Sequence, residues 1–239
     1  MSSEPAYRDT TGRSLADYPH PSVAVDTAVL TVPPGADGLN VLLVRRAGTH
    51  EHGAWALPGT FLHPGETLAQ AVLRSLADKA GIRGLAPRQL HVFDDPDRDD
   101  RGWVLSVAHL DAVTWLRLAA TVASRDDGAV VPVAQAVGLP YDHDQIVALA
   151  VHTLRARYRE EPDPDRLLPA PFTLLELRHL HQAVLGTPLL KDTFRRQMAP
   201  QLTATDETRE GVVGKPAALF RHKPRRGRGA TGYSVLPGT

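Results

Sequence analysis

The sequence contains no cysteine. That excludes disulfides and zinc sites built on thiolates, and it accords with a reducing, cytoplasmic setting. Long hydrophobic runs are missing as well. Stretches such as VAVDTAVLTV and HLHQAVLG fall well short of the roughly 18 residues of a membrane span. The opening MSSEPAYRDTTGRSLADYPHP has no basic start followed by an apolar core, so nothing in it reads as a targeting segment. Walker loops, Gly-x-Ser-x-Gly elbows and long internal repeats are absent too.

Net charge is also absent, but only in sum. Residues 170–239 carry 11 Lys+Arg against 5 Asp+Glu, whereas residues 1–169 carry 16 against 22. The two parts, at +6 and −6, point to different partners, with a polyanion for the basic one. What is present is 42% apolar residues in a chain of 239, enough for one large core or two modest ones.

The runs SVAVDTAVLTV (22–32) and LNVLLVRRA (39–47), separated by PPGADG, predict paired strands around a Pro/Gly turn. A helix over 67–80 follows, with Ala69, Val72, Leu73, Leu76 and Ala80 as its apolar stripe and Gly81 as its C-terminal cap. QLHVFDD (89–95) and GWVLSVAHLDAV (102–113) predict further strands, and Asp144 caps a helix over 144–160. The acidic, Pro-bearing EPDPDR that follows reads as a linker. Beyond it, Thr173 and Glu176 have capping-box spacing for a helix that Gly186 stops. Thr187 and Pro188 suit the start of a second helix, whose buried side is Leu190, Phe194 and Met198. GVVGKPAALFRH (211–222) predicts two short strands about a Gly-Lys-Pro turn, giving a helix, turn, helix and wing.

The stretch LPGTFLHPGETLAQAVLRSLADKAGI (57–82) resembles the Nudix signature, Gly-x5-Glu-x7-Arg-Glu-aliphatic-x-Glu-Glu-x-Gly-aliphatic. The opening Gly falls on Thr60, the first Glu on Glu66, the Arg on Arg74, and the closing pair on Gly81 and Ile82. The acids of the helix fall on Ser75, Asp78 and Lys79. Their i, i+3, i+4 spacing places them on one face. A working site of this kind needs several carboxylates there to hold divalent ions, and this face offers a hydroxyl, one short carboxylate and an ammonium. No catalytic residue, metal or cofactor is therefore expected, and Lys79 is placed to attract a phosphate. Arg45, Arg46 and Arg74 are phosphate candidates by charge and place, although Arg74 could equally be a structural partner of Glu66. Trp55 and Thr60 complete the expected effector pocket. The acidic DDPDRDDRG (94–102) has Asp100 and Ser106 where a calcium loop needs Gly and Glu, so it is expected to be a solvated loop. His50, His52, His179 and His181 read as surface or packing histidines.

Lys191, Thr193, Arg195, Arg196 and Gln197 on one helix, with Lys215 in the wing and Arg221 after it, are what a winged helix needs to meet a DNA groove and backbone. The plain alternative is a solvated charged face. With YPHPSVAVD, RRAG before WALPG, YDHDQI, FTLLEL, TFRR and GKPAALFRH, the chain resembles the Nudix-related transcriptional regulators (NrtR) over about residues 18–222. The resemblance implies an α+β fold, a Nudix-like α/β/α sandwich followed by a winged helix-turn-helix. It also implies a cytoplasmic, homodimeric repressor of NAD-related genes, with double-stranded operator DNA and ADP-ribose or a related nucleotide as partners. The expected boundaries are a flexible N-terminus (1–17), an effector domain (18–160), a linker (161–170), a DNA-binding domain (171–222) and a basic disordered tail (223–239). The competing expectations are an ADP-ribose pyrophosphatase in which Glu66 and Asp78 salvage a metal site, and a scaffold with a basic arm.

Overall fold

The computed structural model describes residues 7–210 and 216–224. Its N-terminal part is built around β1 (Ser22–Thr31), a strand buried along nearly its whole length. Burial on both faces is what a near-continuous apolar run favours, and it lets β1 pair in parallel at the centre of a sheet. The parallel partner is β6 (Val104–Ala112), in register from Ser22↔Val104 to Leu30↔Ala112. Around this pair stand β2 (Asn40–Arg45), β3 (Trp55–Ala56), β4 (Gly59–Phe61), β5 (Arg88–Phe93) and β7 (Gly128–Pro132). The sheet order is β3-β2-β1-β6-β5, with β4 paired to β1 and β7 to β2.

The strand period of two sorts β1 into two faces. Val25 and Val29 join Leu42 and Val44 against α1 (Leu68–Ala80) and α2 (Trp115–Val122). Ala28 and Leu30 join Val41 and Leu43 against α3 (His143–Glu160). This is the expected α/β/α sandwich. Helix α1 opens on a Thr67/Gln70 capping box and ends on Gly81 at φ 68°, the left-handed conformation that glycine adopts at little cost. Its buried stripe is Ala71, Val72, Ser75, Leu76 and Ala80. The expected stripe is corrected at two positions, since Leu73 is 42% exposed and Ala69 half-buried. Complete burial of Leu76 stabilises by about 1.5–3 kcal/mol, so this helix is held mainly by its contact with the sheet.

Asp144 does not cap α3. The N-cap is Asp142, and the Asp144 carboxylate instead accepts the backbone N–H groups of Gly138 and Leu139 at 2.8 Å each, bracing the preceding loop. The 161–170 stretch has no regular element but is packed. Asp163 is buried and accepts from Tyr158 Oη at 2.7 Å and from the N–H groups of Leu167 and Leu168. Toward the N-terminus, the described residues include one short 3-10 turn, Leu15–Asp17.

The C-terminal part joins a three-stranded sheet, β8 (Phe172–Thr173), β9 (Leu202–Arg209) and β10 (Ala217–His222) in the order β8-β10-β9, to α4 (Leu174–Leu185) and α5 (Lys191–Met198). The Thr173/Glu176 capping box and the left-handed Gly186 bound α4 as expected. Helix α5 starts later than Thr187 and Pro188 predict. Gln182 Oε1 accepts the Leu189 N–H at 3.1 Å and Arg178 donates to the Leu189 carbonyl at 3.0 Å, which ties the chain to α4 outside any helix until Leu190. Leu190 is the N-cap and 79% exposed, so Phe194 and Met198 alone form the buried side. The wing also differs from expectation. The partner of β10 is the polar LTATDETR of β9, and residues 211–215, with Lys215 and most of the Gly-Lys-Pro turn, lie outside the described residues, as does the tail beyond 224.

The two parts share a core. Leu180 and Val184 of α4 belong to the same apolar cluster as Val151, Leu154 and Tyr158 of α3.

Candidate functional site

A cavity of about 380 Å³ opens between β1, β2, β4, α1 and the start of α3, within the size range of small-ligand pockets. Of the residues expected there, Arg45, Arg46, Thr60, Asp78 and Lys79 line it. Trp55, Glu66, Arg74 and Ser75 do not. Trp55 lies under the Arg45 guanidinium, 5.0 Å from ring centroid to carbon. Arg74 takes the structural option, pairing through two nitrogens with Glu66 at 2.8 Å each and donating to Thr60 Oγ1 and the Phe61 carbonyl. These hydrogen bonds pull the Glu66 carboxyl down to about 2. Ser75 is buried against the sheet side of α1.

Lys79 reaches inward from the last turn of α1, and its ammonium donates to the Gly59 carbonyl. Burial of that ammonium lowers its pKa, a direction reinforced by Arg46, Arg74 and Arg101 and opposed by Asp26. Gly59 itself lies against Asp26 so closely that an added Cβ would stand 1.8 Å from Oδ1.

Side chains that the sequence reading overlooked form much of the wall. Asp26, on the β1 face turned to α3, accepts from Ser106 Oγ at 2.5 Å and faces His143 Nε2 at 3.2 Å. His143 Nδ1 accepts the Leu57 N–H at 3.0 Å, so the ring proton of the neutral form sits on Nε2 and donates to Asp26. Burial would raise the Asp26 pKa, but His143, Ser106 and Arg98 outweigh it and hold the carboxyl below its ordinary value. The acidic loop is exposed over most of its length, as expected, and the correction is confined to two of its residues. Arg98 and Asp99 are buried. Arg98 donates to the Asp142 carboxylate at 3.1 Å and to the Tyr141 carbonyl at 2.8 Å, and Arg101 pairs with Asp99 at 2.6 Å. Arg46 and Arg101 both lie over the Tyr141 ring, at 4.7 and 4.6 Å, and Arg125 pairs with Asp127 at 2.7 Å. The available signals were DDPDRDDRG and YDHDQI, but the contacts between them span more than 40 residues of chain. In all, the lining carries Arg45, Arg46, Lys79, Arg98, Arg101 and Arg125 against Asp26, Asp78, Asp99 and Asp127. The excess of two positive charges complements the two charges of a pyrophosphate diester.

On the C-terminal part, Lys191, Thr193, Arg195 and Arg196 are exposed on α5. Gln197 is exposed as well, but its amide donates to the Arg159 carbonyl of α3 at 2.6 Å. Arg221 on the wing faces Glu207 at 3.4 Å.

Two family profiles together match residues 22–222, the NUDIX domain over 22–165 and the NrtR DNA-binding winged helix domain over 165–222. The chain is 31% identical over 226 residues to the ADPR responsive transcriptional repressor NtrR of Acinetobacter baylyi, covering 92% of this chain and 89% of that protein. This chain belongs to the NrtR family. The crystal structure of Shewanella oneidensis NrtR complexed with a 27mer DNA is similar at TM-score 0.72 and 33% identity, covering 84% of this chain and 93% of that one. The NUDIX domain of the same NrtR, in complex with ADP ribose, matches at TM-score 0.52 and 29% identity, covering 60% of this chain and 95% of that one. An ADP-ribose pyrophosphatase of Methanocaldococcus jannaschii is 31% identical over 133 residues, 54% of this chain and 73% of that protein. The likeness to this enzyme covers little more than half of this chain, whereas the likeness to the A. baylyi repressor covers 92% of it.

Proposed function

We propose that this chain is a transcriptional repressor of NAD-related genes that lets go of operator DNA when ADP-ribose or a kindred nucleotide fills its cavity. The observation that carries the reading is the union, in one chain, of a cavity with two excess positive charges and a winged helix with an exposed basic face. The A. baylyi relative is named as an ADPR-responsive repressor, and S. oneidensis NrtR has been crystallised with DNA and, as its NUDIX domain, with ADP ribose. A single winged helix makes few base contacts, so the repressor acts as a homodimer on a palindrome with half-sites one or two helical turns apart. Lys191, Thr193, Arg195, Arg196 and Arg221 supply phosphate and base contacts.

The same cavity is read as a sensor without turnover. Divalent ions need several convergent oxygen ligands. Here Ser75 is buried in the core, Glu66 is occupied by Arg74, and the Lys79 ammonium already sits on the Gly59 carbonyl, beside the one remaining helix acid, Asp78. This set does not fit a divalent ion. The M. jannaschii enzyme keeps the hydrolase reading testable. In a melting-temperature screen with ADP-ribose, NAD, nicotinamide mononucleotide and sugar phosphates, ADP-ribose is expected to raise Tm, with no AMP released in the presence of Mg²⁺. Release of AMP at enzyme-like rates would replace the sensor by a hydrolase.

A further inference from the structure

We infer that α3 is the lever that carries occupancy of the cavity to the DNA-binding helix, with Arg98 positioning one end and Gln197 the other. The inference rests on the effector reading above and deepens it by assigning the route of regulation.

At the cavity end, α3 is entered through two consecutive residues in left-handed backbone, Tyr141 at φ 58° and Asp142 at φ 63°. Neither is glycine, and a bulky side chain in that region persists only where its surroundings hold it. The holders are visible. Arg98 grips both residues, through the Tyr141 carbonyl and the Asp142 carboxylate, while Arg46 and Arg101 lie over the Tyr141 ring. All three guanidinium groups also line the cavity. A pyrophosphate entering it competes with the Tyr141 ring for Arg46 and Arg101, because a charge-assisted bond to phosphate oxygen is stronger than a cation–π contact at a partly wet site, while Arg98, its side chain 1% exposed, is the restraint that remains. The ligand therefore draws on part of the restraint that keeps the entry to α3 in its strained form.

At the far end, α3 is fastened to the DNA-binding part by polar and apolar contacts together. Its last carbonyls, Arg159 and Glu160, accept from Gln197 on α5 at 2.6 Å and from Gln201 at 2.9 Å. Arg155 donates to the Val184 carbonyl of α4 at 3.0 Å. Tyr158 holds Asp163, whose other oxygen faces His222 of β10 at 3.4 Å. One unbroken helix thus touches the cavity, α4 and α5, and reaches the wing through Asp163. Its 18 residues span roughly 27 Å, and over that length a tilt of about 5° displaces the far end by about 2 Å. Shifts of that size switch packed interfaces elsewhere.

The absence of cysteine makes the test direct. Spin labels at Leu116→Cys on α2 and Asp192→Cys on α5, both exposed, report the distance between the two parts in the full chain, diluted with unlabelled protein. ADP-ribose is expected to shift the mean distance by about 2 Å or more, and Arg98→Gln to shift it in the same direction without ligand. Gln197→Ala is expected to leave ADP-ribose binding intact in calorimetry and to shrink the ligand-driven shift. Unchanged distances in the presence of calorimetrically bound ADP-ribose would overturn the lever. If calorimetry detects no binding, the effector reading fails by itself, and an unchanged distance in Arg98→Gln would then sink the lever separately. Should Arg98→Gln not fold, the surface variant Gln197→Ala decides, with an undiminished shift counting against the inference.

Discussion

The cavity and the outer face of α5 use the same side chain in opposite ways. Each cavity arginine is already engaged, Arg45 by Trp55, Arg46 by Tyr141, Arg98 by Asp142, Arg101 by Asp99 and Arg125 by Asp127. Lys191, Arg195 and Arg196 form no ion pair with any described residue and stand exposed. Fixed guanidinium groups lose little freedom when a ligand arrives and therefore select its shape. Free ones must be ordered on contact and chiefly answer to charge. A small effector needs the first arrangement, while a polyanion whose sequence is read elsewhere in the interface tolerates the second.

The largest effect that should follow is at α5. Arg195→Ala with Arg196→Ala is expected to weaken operator binding by about 100-fold in a gel shift, with ADP-ribose affinity unchanged in calorimetry. A normal gel shift would move the DNA surface off α5. Salt should separate the two sites next. Raising it from about 50 to 200 mM should weaken the DNA complex by a thousandfold or more for six phosphate contacts, while ADP-ribose, with two charges in a partly enclosed site, changes only a few-fold. Equal salt slopes would erase the distinction.

Within the cavity, Lys79→Met removes an ammonium that faces inward and is expected to cost about tenfold in ADP-ribose affinity. In the unaltered chain, burial and the neighbouring arginines lower the pKa of Lys79. Binding should therefore weaken as pH rises, before the range in which an exposed lysine loses its proton. An affinity that stays flat up to the ordinary lysine range would remove Lys79 from the ligand contacts. The smallest effect is at Ser75, whose buried hydroxyl has no hydrogen-bond partner among the described residues. Ser75→Ala should stabilise the fold by about 0.5–1 kcal/mol in chemical denaturation and leave ADP-ribose affinity alone. A drop in affinity would return Ser75 to the site.

Much of the frame was legible because its signals are local. The Thr173 cap, Gly81 and Gly186, and the apolar run of β1 each declare themselves within a few residues. The helix of the box also pointed to Asp78 and Lys79, since helical spacing places neighbours by arithmetic. Illegible were the contacts that only the tertiary fold creates. DDPDRDDRG looks soluble by composition, yet Arg98 is buried by its partnership with Tyr141 and Asp142. Asp26 sits in an apolar strand and gains meaning only from Ser106 and His143, 80 or more positions away. β9 was missed for the opposite reason, because a wing strand largely exposed along its length carries little alternation to read. The late start of α5 follows from two side chains of α4, which no local pattern reveals.

The closeness of Gly59 to Asp26 makes tolerance at one position contingent on the other. With a Cβ meeting Oδ1 at 1.8 Å, a saturation library at position 59 should return glycine alone while Asp26 stands. In a background where Asp26 is shortened to Ala, the approach to the Val25 carbonyl at 3.0 Å is what remains, so Gly59→Ala should become better tolerated. A lineage that first loses the carboxylate is then freer to drift at position 59, and once a larger residue has settled there, the carboxylate cannot return. This pair would act as a historical ratchet in the descent of these sensors.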